Sequence, residues 1–172
     1  MKTNDLTRTA LMAAVLCVLA PISIPIPISS VALSLATLAL YLMAYILKSK
    51  QALAAVGIYL LLGAVGLPVF SGYMAGISRF AAPGGGYLIG YLFLTGISGW
   101  FVQKYSALHL QLLGMFLGTL VMYLLGTFWM AYTTKIPFFS ALPAGMLIFL
   151  PFDILKIILA CYIGRKIKVH IK

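Results

Sequence analysis

The chain of 172 residues is 63% hydrophobic and only 8% charged, with a mean hydropathy of +1.12. These values exclude a soluble globular domain and point to an all-α bundle of membrane-spanning helices. A net charge of +10 would suggest nucleic acid in a soluble protein; here the basic residues fall between apolar runs, where they set topology, and no nucleic-acid partner follows.

Residues 1–172 fit one bundle and read as a single transmembrane domain. Measured against the roughly 20 apolar residues that cross a bilayer, the sequence predicts six spans. The first runs from about Leu6 to Ala20. With Lys2 and Arg8 ahead of it this run has the outline of a signal peptide, but the residues after it stay membrane-like, so it reads as an uncleaved helix. In Pro21-Ile22-Ser23-Ile24-Pro25-Ile26-Pro27 the repeated X-Pro steps enforce extended backbone, which must pack on protein or lie at the interface. The second span covers about Val31 to Leu47 and the third about Ala52 to Gly66. A Gly-rich connection carrying Arg79 then leads to Pro83-Gly84-Gly85-Gly86-Tyr87. The fourth span ends near Phe101, the fifth runs from Leu108 to Tyr132, and the sixth from Ala144 to Ile163. Trp100 with Tyr105, and Trp129 with Tyr132, stand at span ends where aromatic belts belong.

Six spans place both termini on one side. Lys2, Arg8, Lys48, Lys50, Lys104, Arg165, Lys166, Lys168 and Lys172 fall on that side, against Arg79 and Lys135 on the other. The positive-inside rule therefore predicts cytoplasmic termini. The Pro-rich segment, the Gly-rich connection and the start of the sixth span then gather at the outer face, which describes a pocket opening outward beneath loops.

The sixth span contains Pro151-Phe152-Asp153-Ile154-Leu155-Lys156. Asp153 is one of two acidic residues in the chain. Placing an Asp or Lys at the centre of a membrane helix costs about 2.5–3.5 kcal/mol even on insertion scales. At i, i+3 the two side chains share a helix face, where they neutralise each other or grip one ligand together. A lock between two helices and a ligand contact are both open; ligand contact is the expectation at membrane depth. Pro151 predicts a local irregularity in the helix.

Three glycines at the start of the fourth span allow backbone N–H groups to approach an acceptor, or simply permit a turn with close packing. No Gly-Lys-Ser or Gly-Lys-Thr follows, so a phosphate loop is excluded. Ala10 with Ala14, and Gly114 with Gly118, are small-xxx-small pairs that let a second helix come close, usually within the same bundle. Arg79 is either headgroup-facing or a bidentate partner for a carboxylate. His109 and His170 lie far from Asp153, so no metal centre is expected. Two cysteines, Cys17 and Cys161, both within spans, suggest buried thiols.

Ile58-Tyr59-Leu60-Leu61-Leu62-Gly63-Ala64-Val65-Gly66-Leu67-Pro68-Val69-Phe70, Gly85-Gly86-Tyr87-Leu88-Ile89-Gly90 and Leu150-Pro151-Phe152-Asp153-Ile154-Leu155-Lys156 together resemble the BioY family. These are the biotin-specific substrate-binding (S) components of energy-coupling-factor (ECF) transporters. The likeness runs from about Pro25 to Ala160. It departs where the family has Gly-Pro-Thr-Gly-Gly-Tyr and this chain has Ala82-Pro83-Gly84-Gly85-Gly86-Tyr87, where Phe152 replaces a glycine, and where Ala36 replaces a glutamine.

The resemblance implies a non-catalytic subunit in a prokaryotic cell membrane, without cofactor. It would capture biotin outside and dock on a transmembrane coupling protein with two cytoplasmic ATPases. It further implies Asp153, Lys156, Arg79, Gly72, Gly85, Gly86 and Tyr87 at the ligand, and Ala10 and Ala14 at the coupling partner. A ureido ring offers N–H donors to Asp153, while the valerate carboxylate needs Lys156 or Arg79. The alternatives are another small vitamin, since Gly84 and Phe152 fall where specificity would be set, or an intramembrane enzyme acting on lipid or prenyl groups.

Overall fold

The computed structural model describes residues 3–171, with side chains over 3–169. Lys2 and Lys172 of the charge tally, and the side chain of His170, lie outside the described residues. Helices α1 (Thr3–Leu19), α2 (Ala36–Ile46), α3 (Ser49–Ala64), α4 (Ser78–Ala81), α5 (Gly85–Lys104), α6 (Leu108–Thr134), α7 (Phe138–Leu142) and α8 (Leu150–Ile171) follow in order. Among the described residues α5, α6 and the continuous helical run Phe138–Val169 are long and apolar enough to cross a membrane, while α2 and α3 are shorter apolar helices.

The Pro-rich segment is extended, as its X-Pro steps require. Its strand β1 (Ser23–Ile24) pairs antiparallel with β2 (Leu33–Ser34). That pairing takes up the first residues of the expected second span, so α2 starts at Ala36 and not at Val31. Ser34 fixes the junction: its hydroxyl donates to the Ala20 carbonyl at 2.7 Å and accepts from the Ala36 N–H at 3.0 Å.

Glycine sets how closely α5 and α6 lie. A Cβ on Gly86 would overlap Trp129 and the Leu125 carbonyl, and one on Gly126 would overlap the Tyr87 ring. Gly114 and Gly118 likewise face Phe101 and Leu94 of α5, so that pair packs within the bundle. Without a net hydrophobic drive between helices in lipid, such backbone approach is a main source of attraction. Ala10 and Ala14 differ: both are exposed, on the face of α1 opposite buried Met12, Ala13 and Leu16.

The Gly-rich connection is held from below. Phe70 is buried, meets Tyr59 and Phe80 edge-on, and occupies the space that a side chain at Gly63 would fill. Gly72 turns the chain at φ 70°, a conformation that favours glycine, and its N–H reaches the Pro21 carbonyl at 3.1 Å.

The sixth apolar run is not one uniform helix. Leu142 leads into a π-helical turn over Pro143–Leu147, after which α8 begins at Leu150. Pro151 thus lies in the first turn of α8, where a missing N–H leaves no gap. The irregularity expected at Pro151 falls one to two turns earlier.

Candidate functional site

Asp153 and Lys156 project from one face of α8 toward the start of α2. The pair is joined at 2.9 Å, with Asp153 2% and Lys156 8% exposed. Thr37, in the first turn of α2, donates to Asp153 Oδ1 at 2.8 Å and accepts from Lys156 Nζ at 3.0 Å. Lys156 also reaches the Ser34 carbonyl at 2.7 Å. From α6, the Tyr123 hydroxyl donates to Asp153 Oδ2 at 2.5 Å. Three elements besides α8 therefore converge on two charges.

Counting donors and acceptors separates the roles of the two charges. An ammonium has three protons, and Lys156 places them on Ser34, Thr37 and Asp153. A carboxylate offers about four lone-pair positions, of which Thr37, Lys156 and Tyr123 fill three. The acid retains capacity to accept; the ammonium has nothing left to donate. Lys156 neutralises the buried carboxylate without consuming it.

The same pair lines a cavity. An inner chamber of about 40 Å³ is bounded by Asp153, Lys156, Thr37, Tyr123, Met122 and Phe149, among others. It shares Val31, Ala32, Ser34, Tyr87 and Tyr91 with an outer chamber of about 280 Å³. Together they reach the lower end of the range for small-molecule pockets, about 300 Å³. The couple ties α8 to α2, as a lock between helices would, and the same two side chains also line the inner chamber.

Tyr87 is a rigid divider. Its hydroxyl donates to the Gly145 carbonyl of the π-helical turn at 2.7 Å, and its ring lies where Gly126 has no side chain. The turn thereby offers a carbonyl that a regular helix would use internally. Tyr91, one turn further on, makes no hydrogen bond through its hydroxyl among the described residues and borders both chambers. The outer wall adds Phe70 and Met74, with Ser71, Gly72 and Arg79 from the connection. Among the described residues the buried Ser71 hydroxyl has no hydrogen-bond partner and Arg79 meets no carboxylate.

The expected site residues thus divide. Asp153, Lys156 and Tyr87 meet at the inner chamber, and Tyr87, Gly72 and Arg79 at the outer one. Gly85 and Gly86 line neither. A Cβ on Gly85 would overlap the Phe80 carbonyl, so these two glycines set packing where a ligand contact was expected. Of the three departures from the family pattern, Gly84 borders the outer chamber. Phe152 is half exposed on the outer surface of α8 and Ala36 is buried in the core; neither lines a chamber.

Sequence reasoning missed Thr37, Ser34, Tyr123, Tyr91 and Ser71. A hydroxyl in an apolar helix was the available signal for Thr37, and the i, i+4 spacing of Tyr87 and Tyr91 another. Nothing in the sequence marked Tyr123 among ten tyrosines.

Apolar helices enclosing a chamber with one buried acceptor, aromatic walls and a cation at the outer rim define an integral membrane protein built to hold a small molecule. The comparisons narrow the class. The sequence pattern of the BioY family matches residues 1–172. The chain is 36% identical to biotin transporter BioY2 of Lactococcus lactis subsp. cremoris, over 95% of this chain and 89% of that protein. It is 32% identical to biotin transporter BioY of Rhizobium etli, over 98% and 95%. A crystal structure of the S-component for biotin from an ECF-type ABC transporter superposes with a TM-score of 0.90 at 30% identity, covering 98% of this chain and 94% of that one. The chain belongs to the BioY family. It is a multi-pass membrane protein of a transport family, and its relatives are named for transport, not for an enzymatic reaction.

Proposed function

We propose that the chain is the biotin-capturing component of an ECF-type transporter, taking its ligand from the outer face. The observation that carries this reading is the residual acceptor capacity of Asp153 in a chamber whose ammonium is already saturated. A ureido ring supplies the matching N–H donor, and a charge-assisted hydrogen bond of this kind contributes about 1.5–3 kcal/mol. The apolar sulfur ring of biotin suits walls made by Tyr87, Tyr91, Met122 and Phe149. Because Lys156 has no proton to spare, the valerate carboxylate goes to Arg79, which borders the outer chamber together with Ser71.

Six membrane crossings with cytoplasmic termini fit this reading. The basic residues described at the ends of α1, α2, α5 and α8 lie opposite the loops that roof the chamber. Ala10 and Ala14, exposed and small, then form the face that docks on the coupling protein, which with two ATPases drives uptake.

Titration of the purified chain with biotin by calorimetry, with mass spectrometry of any small molecule that co-purifies, tests the proposal. One-to-one binding is expected. No heat with biotin, together with a different vitamin in the spectrum, would replace the ligand and keep the class. Gly84 at the outer wall is the one departure placed to produce that outcome.

A further inference from the structure

The side chains bordering the inner chamber that carry a hydrogen-bond donor are Ser34, Thr37, Tyr87, Tyr91, Tyr123 and Lys156. All but one are spent on the protein itself. Ser34 donates to the Ala20 carbonyl and Tyr87 to the Gly145 carbonyl. Thr37 and Tyr123 both donate to Asp153, and Lys156 has placed all three of its protons. Tyr91 keeps its proton. The residue is only 8% exposed, yet its hydroxyl is not sealed in protein as those of Thr95 and Ser98 on the same helix are, so it opens on the cavity. A buried phenol needs a partner, because an unpaired proton away from water carries a desolvation penalty. The Tyr91 ring packs on that of Tyr59, with centroids 6.4 Å apart, which holds the hydroxyl at the wall.

We infer that, given the capture of biotin proposed above on which this assignment depends, the Tyr91 hydroxyl donates to the ureido carbonyl oxygen and so selects for that group. A cyclic urea carries its N–H and its C=O on adjacent ring atoms. A ligand whose N–H lies on Asp153 therefore brings its carbonyl oxygen into the same inner chamber. Lys156, the other cation there, has nothing left to donate to it. An acceptor and a donor of the protein thus meet a donor and an acceptor along one edge of the ring. A site built to bond a polar group rejects an analogue lacking that group, because its own polar atom is then left unpaired. Tyr91 reads the ring in this way, as Arg79 reads the carboxylate.

Tyr91→Phe tests the assignment, since it removes one oxygen and keeps the ring against Tyr59. In calorimetry the variant should bind biotin about three- to tenfold more weakly than the parent, the net worth of one neutral hydrogen bond. Infrared spectra of bound biotin, isotope-labelled at the ureido carbon, give a second readout that altered packing alone does not move. The carbonyl stretch should shift to higher frequency in the variant, because its oxygen has lost a donor. A variant with the parent's affinity overturns the assignment, and so does weaker binding with an unmoved stretch. A parent that itself fails to bind biotin overturns the capture reading and this assignment with it. A parent that binds while Tyr91→Phe behaves identically overturns the assignment alone.

Discussion

Asp153→Asn removes one charge and almost no volume, so it tests the donor and acceptor count directly. The amide oxygen should stay at the Oδ1 position, because Lys156 and Thr37 both donate there, at 2.9 and 2.8 Å. The amide nitrogen then takes the Oδ2 position, where Tyr123 now donates at 2.5 Å, and presents N–H groups where an acceptor stood. A ligand N–H arriving there meets a donor. The lost charge-assisted bond is worth about 1.5–3 kcal/mol, which is about 10- to 150-fold in Kd. Stability should fall as well, since Lys156 keeps neutral acceptors but loses its counter-charge. Removing one member of a buried pair costs about 3–5 kcal/mol, and the retained oxygen places this change at the low end. Biotin titration beside a thermal melt separates the two effects. A folded variant that binds biotin within threefold of the parent would refute the assignment of Asp153 as ligand acceptor and leave it as a helix lock alone.

Arg79→Ala should weaken biotin about tenfold or more yet leave biotin amide, which carries no carboxylate, bound as by the parent; equal losses for both ligands would place the carboxylate elsewhere. Gly86→Ala should lower the melting midpoint, because overpacking against Trp129 and the Leu125 backbone costs about 1–3 kcal/mol. Unchanged melting would mean that α5 and α6 have slack at their seam. Ala10→Leu with Ala14→Leu should leave biotin binding by the isolated chain intact while abolishing co-purification with the coupling protein. Retained co-purification would move the docking face away from α1.

The charge pair was legible in the sequence because a membrane span so rarely carries a carboxylate that Asp153 and Lys156 stand out unaided. Arg79 and Gly72 were legible as members of a long Gly-rich connection, and both border the outer chamber. Gly85 and Gly86 were expected at a ligand and are found at close packing contacts; a glycine that exposes backbone to a ligand and one that admits a neighbouring segment are the same residue type. Only the positions of Phe80, Trp129 and Leu125 distinguish them. Thr37 went unmarked because a threonine hydroxyl in a membrane helix usually bonds its own backbone, and Tyr123 because it is one of ten tyrosines. Their role depends on partners 116 and 30 residues away in the chain.

Composition and hydrophobic run length by themselves determined that this protein lives in a bilayer as helices, because unpaired backbone in hydrocarbon leaves few other solutions. The order of apolar helices, the extended proline segment and a charged couple within the last of them followed from the same local rules. Only the tertiary structure decided that the ammonium is spent on Ser34, Thr37 and Asp153 while the acid keeps room for one more donor. Hydrogen-bond saturation is a property of groups brought together across helices, and no window of sequence contains it.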